Sequence, residues 1–597
     1  MDKLKSFIGG EFLVTDAAPH EIFTPEDFTK DHILIAQSAD EFHRKELMPN
    51  KEEIEAYNPE LLKKYIKILG DLGFLGADIP EIFGGTELDK VGSTLISEKI
   101  SSGVSGFNVS FMVQTGIGSI PIVMFGSTAQ KKKYLPGLAS GDMIGAYALT
   151  ESEHGSDALS AEASAILTDD GNYYILNGQK QFISNAGFAD LFVTYAQIND
   201  DKFTSFIVER KWEGVSVDEE EKKMGMHGCS TRAVIFKDVK VPVENVLGEI
   251  GRGHVVALNT LNIGRYKLGA TTLGSAKLML SEALNYSKGR VQFGKPICEF
   301  GLIKQKLAEI TIKAYVNECM VYRIAGLLNM ALEDIDLTEE DAGLKTGAAI
   351  REYAVECSIN KVYGSEVLDY ITDECVQIMG GYGYIKDYPA EGAYRDSRIN
   401  RIWEGTNEIN RLVIVDMLMK SAMKGKLPLL KAIGDVNNEF ADLRYERKNN
   451  EKILEKELNM VKMAKKIALF AAGAAAGKYM TRLSEEQEIV ANISDMVIEI
   501  FAMESCLLRT LKTAERSGET ETEIQSAITS VYINDVFPEI IILFQEIMAA
   551  IYTGDELEGK LTVLKRINDF TPINTISLKR KIADSVIKSG RYHLTKY

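Results

Sequence analysis

The sequence predicts a mainly helical α+β protein: an N-terminal helical domain, a middle antiparallel β-domain, a C-terminal helical bundle and an additional helical domain. Three observations carry this. The chain has 597 residues, and single cores stop growing near ~250–300 residues before chains split into domains. Apolar residues recur at helical spacing over residues 24–143 and 258–424, the period of helices with one buried face. Between those blocks the texture changes to short β-branched and aromatic runs bounded by turn residues, the pattern of strands.

The first helical domain is placed at residues 24–145, with breakers at Gly73, Pro80, Gly84, Gly85 and Pro136. The β-domain, 146–256, holds runs at 173–176, 191–195, 203–208, 233–236 and 239–241. Asn177-Gly178 and Asn199-Asp200-Asp201 read as turns between them, and no long crossover helix is present to make the sheet parallel. The bundle, 257–424, contains a glycine-rich break at Gly380-Gly381-Tyr382-Gly383. The last block, 425–597, is again helical, with a charge-rich run at 444–457.

Composition narrows the function classes. An apolar fraction of 45% and a mean hydropathy of -0.07 are those of a soluble protein with a sizeable core. A net charge of -18 disfavours nucleic acid and anionic membranes, both of which it repels. The six cysteines (Cys229, Cys298, Cys319, Cys357, Cys375 and Cys506) show no metal-ligand or disulfide spacing, and no metal site is expected. Met1 to Gly10 lacks the order of a signal peptide. The longest strongly apolar stretch, 467–477, is shorter than the ~20 residues that span a bilayer. A cytoplasmic location is expected.

Gly380-Gly381-Tyr382-Gly383 invites comparison with a dinucleotide fingerprint, but it follows an amphipathic helical stretch where that motif needs a strand. The wider context reads differently. Gln377-Ile378-Met379-Gly380-Gly381-Tyr382-Gly383-Tyr384, then Asp387-Tyr388-Pro389, Arg395-Asp396 and Arg401-Ile402-Trp403-Glu404-Gly405-Thr406-Asn407-Glu408, resembles the C-terminal signature of acyl-CoA dehydrogenases. Upstream, Ala148-Leu149-Thr150-Glu151-Ser152-Glu153-His154-Gly155-Ser156-Asp157 resembles the flavin and thioester segment of the same family. Residues 177–185, Arg290-Val291-Gln292-Phe293-Gly294-Lys295, and Leu75-Gly76 through Pro80 with Gly84-Gly85 extend the resemblance over roughly residues 26–420. The block beyond 420 resembles the tail of the very-long-chain branch. Three positions depart from the family pattern: His154 stands where a small residue is usual, Gly392 where a basic one is, and Phe182 where tryptophan is.

The resemblance implies a four-helix bundle at the C-terminal core, FAD as cofactor, and α,β-dehydrogenation of a fatty acyl-CoA in β-oxidation. It makes Glu404 the base that removes the substrate α-proton; on spacing alone a glutamate there reads better as a helix cap. Burial beside an acyl chain should raise its pKa. The family pattern sets Tyr147, Leu149, Thr150 and Ser156 on one side of the flavin ring and Phe182, Ile183 and Ser184 on the other. Arg290, Gln292, Gln305, Gln377, Gly380 and Gly381 match residues reaching the flavin of a neighbouring subunit, and Thr406 and Glu408 complete the set. Ser156, Asn262, Arg265 and Gly405 match substrate positions, although the family usually has aspartate at Asn262. A site shared between chains implies a homodimer or higher homo-oligomer. Electron-transferring flavoprotein is the implied partner.

Pro121 follows Gln114-Thr115 after only five residues, a short segment that suggests a deep acyl cavity and a long-chain substrate. Lys462, Lys465, Lys466 and Lys478 read as a solvated face, so membrane contact is disfavoured. Two rival functions stay open: an acyl-CoA oxidase passing electrons to oxygen, and a dehydrogenase-fold scaffold that binds proteins through its last helices.

Overall fold

The computed structural model describes residues 4–199, 201–442, 452–567 and 570–595. Most of the charge-rich run expected at 444–457 lies outside them, as does Asp200.

Ahead of the first helix, three single 3-10 turns lie at Glu11–Leu13, Pro19–Glu21 and Pro25–Asp27. The N-terminal helices follow: α1 (Lys30–Phe42), α2 (Lys51–Glu55), α3 (Pro59–Asp71), α4 (Lys90–Ile100), α5 (Ser105–Thr115), α6 (Ile120–Phe125) and α7 (Thr128–Ser140). Side-chain oxygens of Thr29, Asn58, Asp89 and Ser127 cap α1, α3, α4 and α7 by accepting first-turn N–H groups. Gln114, at the end of α5, is buried; its amide donates to the carbonyls of Leu138 and Met143 and its oxygen accepts from the Gly145 amide. That residue pins the helical domain to the first strand.

The strands are β1 (Gly145–Ala148), β2 (Ser164–Leu167), β3 (Tyr173–Ser184), β4 (Leu191–Ile198), β5 (Lys202–Glu209), β6 (Val215–Val217), β7 (Thr231–Pro242) and β8 (Val246–Leu247). They form one sheet in the order β6-β7-β3-β2-β4-β5-β8. Most neighbours are antiparallel, but β1 and β2 both lie parallel to β4, along successive stretches of it. The expected turn at Asn177-Gly178 is instead a bulge inside β3, where pairing with β7 shifts register between Leu176 and Gly178. Gly178 has φ +145°, and a Cβ there would lie 2.6 Å from that of Ala163. The glycine serves a close strand approach, and Asn177 spends its amide on Asp238 of β7.

The bundle is α8 (Gly253–Gly289), α9 (Gly301–Leu332), α11 (Ala354–Met379) and α13 (Asn407–Met423), with the hairpin β9 (Val291–Gln292) and β10 (Lys295–Pro296), and with α10 (Ala342–Glu352) and α12 (Pro389–Ser397) as connectors. The additional domain is α14 (Leu429–Asp442), α15 (Glu455–Tyr479), α16 (Gln487–Ser517), α17 (Glu523–Ile551), α18 (Gly554–Ile567) and α19 (Thr575–Ser589), of which α16 and α19 pack on α9.

Two expectations are corrected here. The apolar spans Ser105–Phe125 and Thr520–Ile551 are longer than 467–477 and match membrane helices in length and composition. Both are mostly buried inside the protein, as core helices are. Of the four lysines expected on a solvated face of α15, Lys478 is exposed, but three are engaged: Lys465 is buried and paired with Glu504, Lys462 pairs with Asp16, and Lys466 pairs with Glu439. They hold α15 to α16, to the N-terminal segment and to α14.

Glu356 of α11 is buried; one carboxylate oxygen accepts the Gly10 amide at 2.7 Å and the other has no partner. Burial pushes its carboxyl up to about 7 from the ordinary 4.5. The folded state then keeps this proton at a pH where the unfolded chain has lost it. The associated stability is fully present below pH 4.5 and is lost as pH rises through 7, a change of about 3 kcal/mol. Glu356→Gln should therefore raise the thermal midpoint relative to wild type at about pH 8 and not at about pH 4.5, as scanning calorimetry would read.

Candidate active site

Between the 3-10 turn Arg398–Arg401 and α13, the chain turns through two successive left-handed residues, Glu404 (φ +57°) and Gly405 (φ +78°). Glycine adopts this freely, but a glutamate there costs of order 1 kcal/mol, which surrounding contacts must offset. Three side chains do so. Arg265 Nε donates to the Glu404 carbonyl at 3.1 Å, Lys361 Nζ to the Gly405 carbonyl at 2.8 Å, and Asn410 Nδ2 spans the carbonyls of residues 404, 405 and 406 at 3.3, 2.8 and 3.0 Å. Thr406 caps α13, its Oγ1 accepting the Ile409 amide, and Glu408 occupies the first turn. The helix-cap reading of Glu404 thus belongs to Thr406.

The Glu404 side chain points against α8. Its Oε2 is buried with no hydrogen-bond partner, and the carboxylate fills the space beside Gly264, where a Cβ would lie 2.3 to 2.8 Å from it. Burial pushes the carboxyl up to about 7, against the opposing pull of Arg265 and Lys361. A carboxyl balanced near neutrality and free of partners is able to take a proton from a ligand.

Arg265 is only 5% exposed and also donates to Asn262 Oδ1 at 3.2 Å, so the pair lies inside the protein rather than on a helix surface. Tyr147, on β1, is buried with an unpartnered hydroxyl; its ring meets that of Tyr195 edge-on at 5.5 Å, and the Glu404 charge raises its pKa further after burial and Tyr195. Leu149 and Ile183 are buried, Thr150 and Ser184 half-buried, and Ser156 exposed. Phe182 lies at the second register shift of β3 with φ +59° and is 61% exposed. The Thr150 carbonyl accepts the Gln181 amide, and buried Lys180 bridges the Leu149 carbonyl and Glu151 Oε1 at 3.2 and 2.6 Å. This ion pair clamps the 149–151 segment onto β3.

The remaining residues gather elsewhere. Arg290, Gln292, Gly380 and Gly381 line a cleft of about 570 Å³ with Tyr286 and Tyr382. A Cβ on either glycine would meet nothing within 4 Å, so the backbone is open to an approaching ligand. Gln377 is exposed on the last turn of α11, and Gln305 is exposed on α9, its amide donating to Glu309. Arg265 lies on α8 and Arg290 is the residue that ends it, so that 25 positions along the helix separate them by ~37 Å. One chain therefore does not bring the two groups together.

Four domain models cover most of the chain: the acyl-CoA dehydrogenase N-terminal domain at residues 29–142, the middle domain at 146–239, and two C-terminal domain models at 251–419 and 463–566. A probable acyl-CoA dehydrogenase of Bacillus subtilis (strain 168) is 46% identical over 584 residues, 98% of each chain. The chain belongs to the acyl-CoA dehydrogenase family. The very long-chain specific acyl-CoA dehydrogenase of Rattus norvegicus mitochondria is 40% identical over 355 residues, 58% of this chain and 52% of that one. A crystal structure of an acyl-CoA dehydrogenase complexed with FAD from Bacillus anthracis superimposes with a TM-score of 0.97 at 46% identity, over 98% of this chain and 100% of that one.

Motif reading of this dehydrogenase missed Gly264, Lys180, Asn410 and Lys361. Gly264, Lys180 and Lys361 act through contacts distant in sequence, and Asn410 through backbone carbonyls that carry no side-chain signature. The available signal was weak: Lys361 is a single cation in the otherwise uncharged run 357–365.

The tight fit at Gly264 gives a separable test. Gly264→Ala adds a methyl group that only the flexible end of Glu404 must avoid, and within a helix it is intrinsically favourable by up to ~1 kcal/mol. The variant should keep the wild-type thermal midpoint or exceed it while acyl-CoA turnover falls at least about tenfold, because the carboxylate is displaced.

Proposed function

We propose that this enzyme catalyses the α,β-dehydrogenation of long-chain fatty acyl-CoA to trans-2-enoyl-CoA with FAD, Glu404 removing the α-proton. The observation that carries this is the buried, unpartnered Oε2 of Glu404, with burial raising the carboxyl to about 7.

The residues present fit the cofactor: the half-buried to exposed row Thr150, Ser156, Phe182 and Ser184 offers a face beside buried Tyr147, Leu149 and Ile183, and the open glycines 380 and 381 leave room for a phosphate-bearing group. Bound FAD supplies the acceptor for the substrate β-hydrogen. The chain's own groups do the rest. Glu404 takes the proton at Cα, its backbone amide faces the thioester carbonyl, and Ser156, Asn262, Arg265 and Gly405 hold the thioester and CoA portions. Arg265 also grips the carbonyl of Glu404, linking substrate binding to the geometry of the base.

The ~37 Å between Arg265 and Arg290 supports a flavin shared between chains, with Arg290, Gln292, Gln305, Gln377, Gly380 and Gly381 serving a neighbour's cofactor while Thr406 and Glu408 lie on the turn of their own Glu404. The reading includes a homodimer or larger homo-oligomer and electron-transferring flavoprotein as acceptor. Six buried, unpaired cysteines support a reducing, cytoplasmic setting.

Glu404→Gln should lower turnover by at least about a thousandfold while the flavin absorbance of the purified protein is retained; activity near wild type would overturn the assignment. Turnover of wild type should rise with pH through about 7 as Glu404 loses its proton. The short 114–121 segment and the similarity to the very long-chain enzyme support a long acyl chain. Steady-state rates on C16 acyl-CoA should exceed those on C8, and faster C8 turnover would contradict the long-chain reading.

A further inference from the structure

Lys361 lies near the middle of α11 and is fully buried. Its Nζ donates to the Gly405 carbonyl at 2.8 Å and to Asn407 Oδ1 at 2.6 Å, both neutral oxygens. No carboxylate is hydrogen-bonded to it among the described residues. A buried ammonium loses most of its hydration and is normally kept only where an anion answers it. Here the carboxyl that answers is Glu404, whose charge offsets part of the desolvation that lowers the Lys361 ammonium from its ordinary range.

The other charged groups around Lys361 come from every packed element: Arg265 of α8 opposes its charge, while Glu408 of α13 and Glu366 of α11 favour it. Glu366 accepts Asn407 Nδ2 at 2.9 Å and Arg411 at 2.9 Å, and Arg411 pairs with Asp495 of α16 at 2.7 Å. Asn407 is therefore held on both sides, its oxygen by Lys361 and its amide by Glu366, and the contact at Gly405 is anchored as far out as the additional domain.

We propose that Lys361 is a positioning residue for the dehydrogenation: its ammonium fixes the left-handed Glu404-Gly405 turn through the Gly405 carbonyl and keeps a cation beside the Glu404 carboxyl. The proposal rests on Glu404 being the base. Lys361 touches neither substrate nor cofactor; it acts through the turn and through its field. Loss of that cation leaves Arg265 as the sole positive contributor to Glu404 and raises the carboxyl further, so a higher pH is needed to ionise it.

The test compares Lys361→Met and Lys361→Arg holoenzymes with wild type, following kcat and KM for palmitoyl-CoA and the flavin-to-protein absorbance ratio from about pH 5.5 to 9. In Lys361→Met the acid limb of kcat should move up by about one pH unit, with about a fivefold fall at pH 7 that recovers as pH rises, while KM and flavin content stay near wild type. Lys361→Arg keeps the cation and should keep the wild-type limb. A residue needed only for packing would lower kcat equally at all pH values, and an unmoved acid limb in Lys361→Met overturns the proposal. Should Lys361→Met not accumulate as holoenzyme, Lys361→Gln, which keeps a donor without the charge, carries the same expectation and the same refutation. Activity surviving in Glu404→Gln would instead strike at the base itself, so the two failures are distinguishable.

Discussion

The active site depends on how closely α8 and α11 cross. Cα of Gly269 lies 3.4 Å from where a Cβ on Gly364 would be, and a Cβ on Gly269 would run into the Asn360 amide. Asn360 donates to the Tyr266 carbonyl across the same crossing. A larger residue at either glycine would have to displace a side chain packed into the crossing, Asn360 at Gly269 or Thr272 at Gly364. One turn before each crossing glycine lies a cation, Arg265 on α8 and Lys361 on α11, and both reach the 404–406 backbone. Gly264, next to Arg265, leaves room for the carboxylate itself. Close packing of two helices thus places two donors and one void around a single glutamate.

That arrangement accepts two local costs for one chemical property. The backbone of Glu404 is left-handed and its Oε2 is buried without a partner. Either feature alone is destabilising. Together they place a carboxyl that is neither a surface anion nor a neutral acid where a ligand can meet it, and Asn410, Arg265 and Lys361 keep it there by bonding the carbonyls of the turn rather than the carboxylate.

A second set of buried charges ties the additional domain to the core. Arg509 of α16 is fully buried and donates to Glu26 of the N-terminal segment, to Glu318 of α9, and to the Leu594 carbonyl and Thr595 hydroxyl. Glu318 in turn accepts from Lys277 of α8, Tyr592 and Thr595, and the Lys277 and Arg509 cations hold its carboxyl well below the usual range against its burial. Removing one member of such a network leaves a buried charge unanswered, at a cost of about 3–5 kcal/mol. The last helices are therefore part of the same folding unit as the bundle, and through Asp495 and Arg411 they border the base turn.

Helix and strand periodicity, being local, determined the succession of helical, β and helical blocks, and the two signatures determined the family. The sequence could also name Glu404, because its flanking motif is contiguous. What a turn residue does was less legible: Asn177-Gly178 has the chemistry of a hairpin, yet strand pairing with β7 and contact with Ala163 make it a bulge. Lys465 looks like a surface lysine in sequence and is buried against Glu504, since a residue's solvation depends on which helix covers it. The residues around Glu404, namely Gly264, Lys361 and Asn410, were decided by tertiary structure alone. Their partners lie up to 140 positions away or are backbone carbonyls that carry no side-chain signature, and desolvation, which gives the carboxyl its chemistry, exists only once the helices have closed over it.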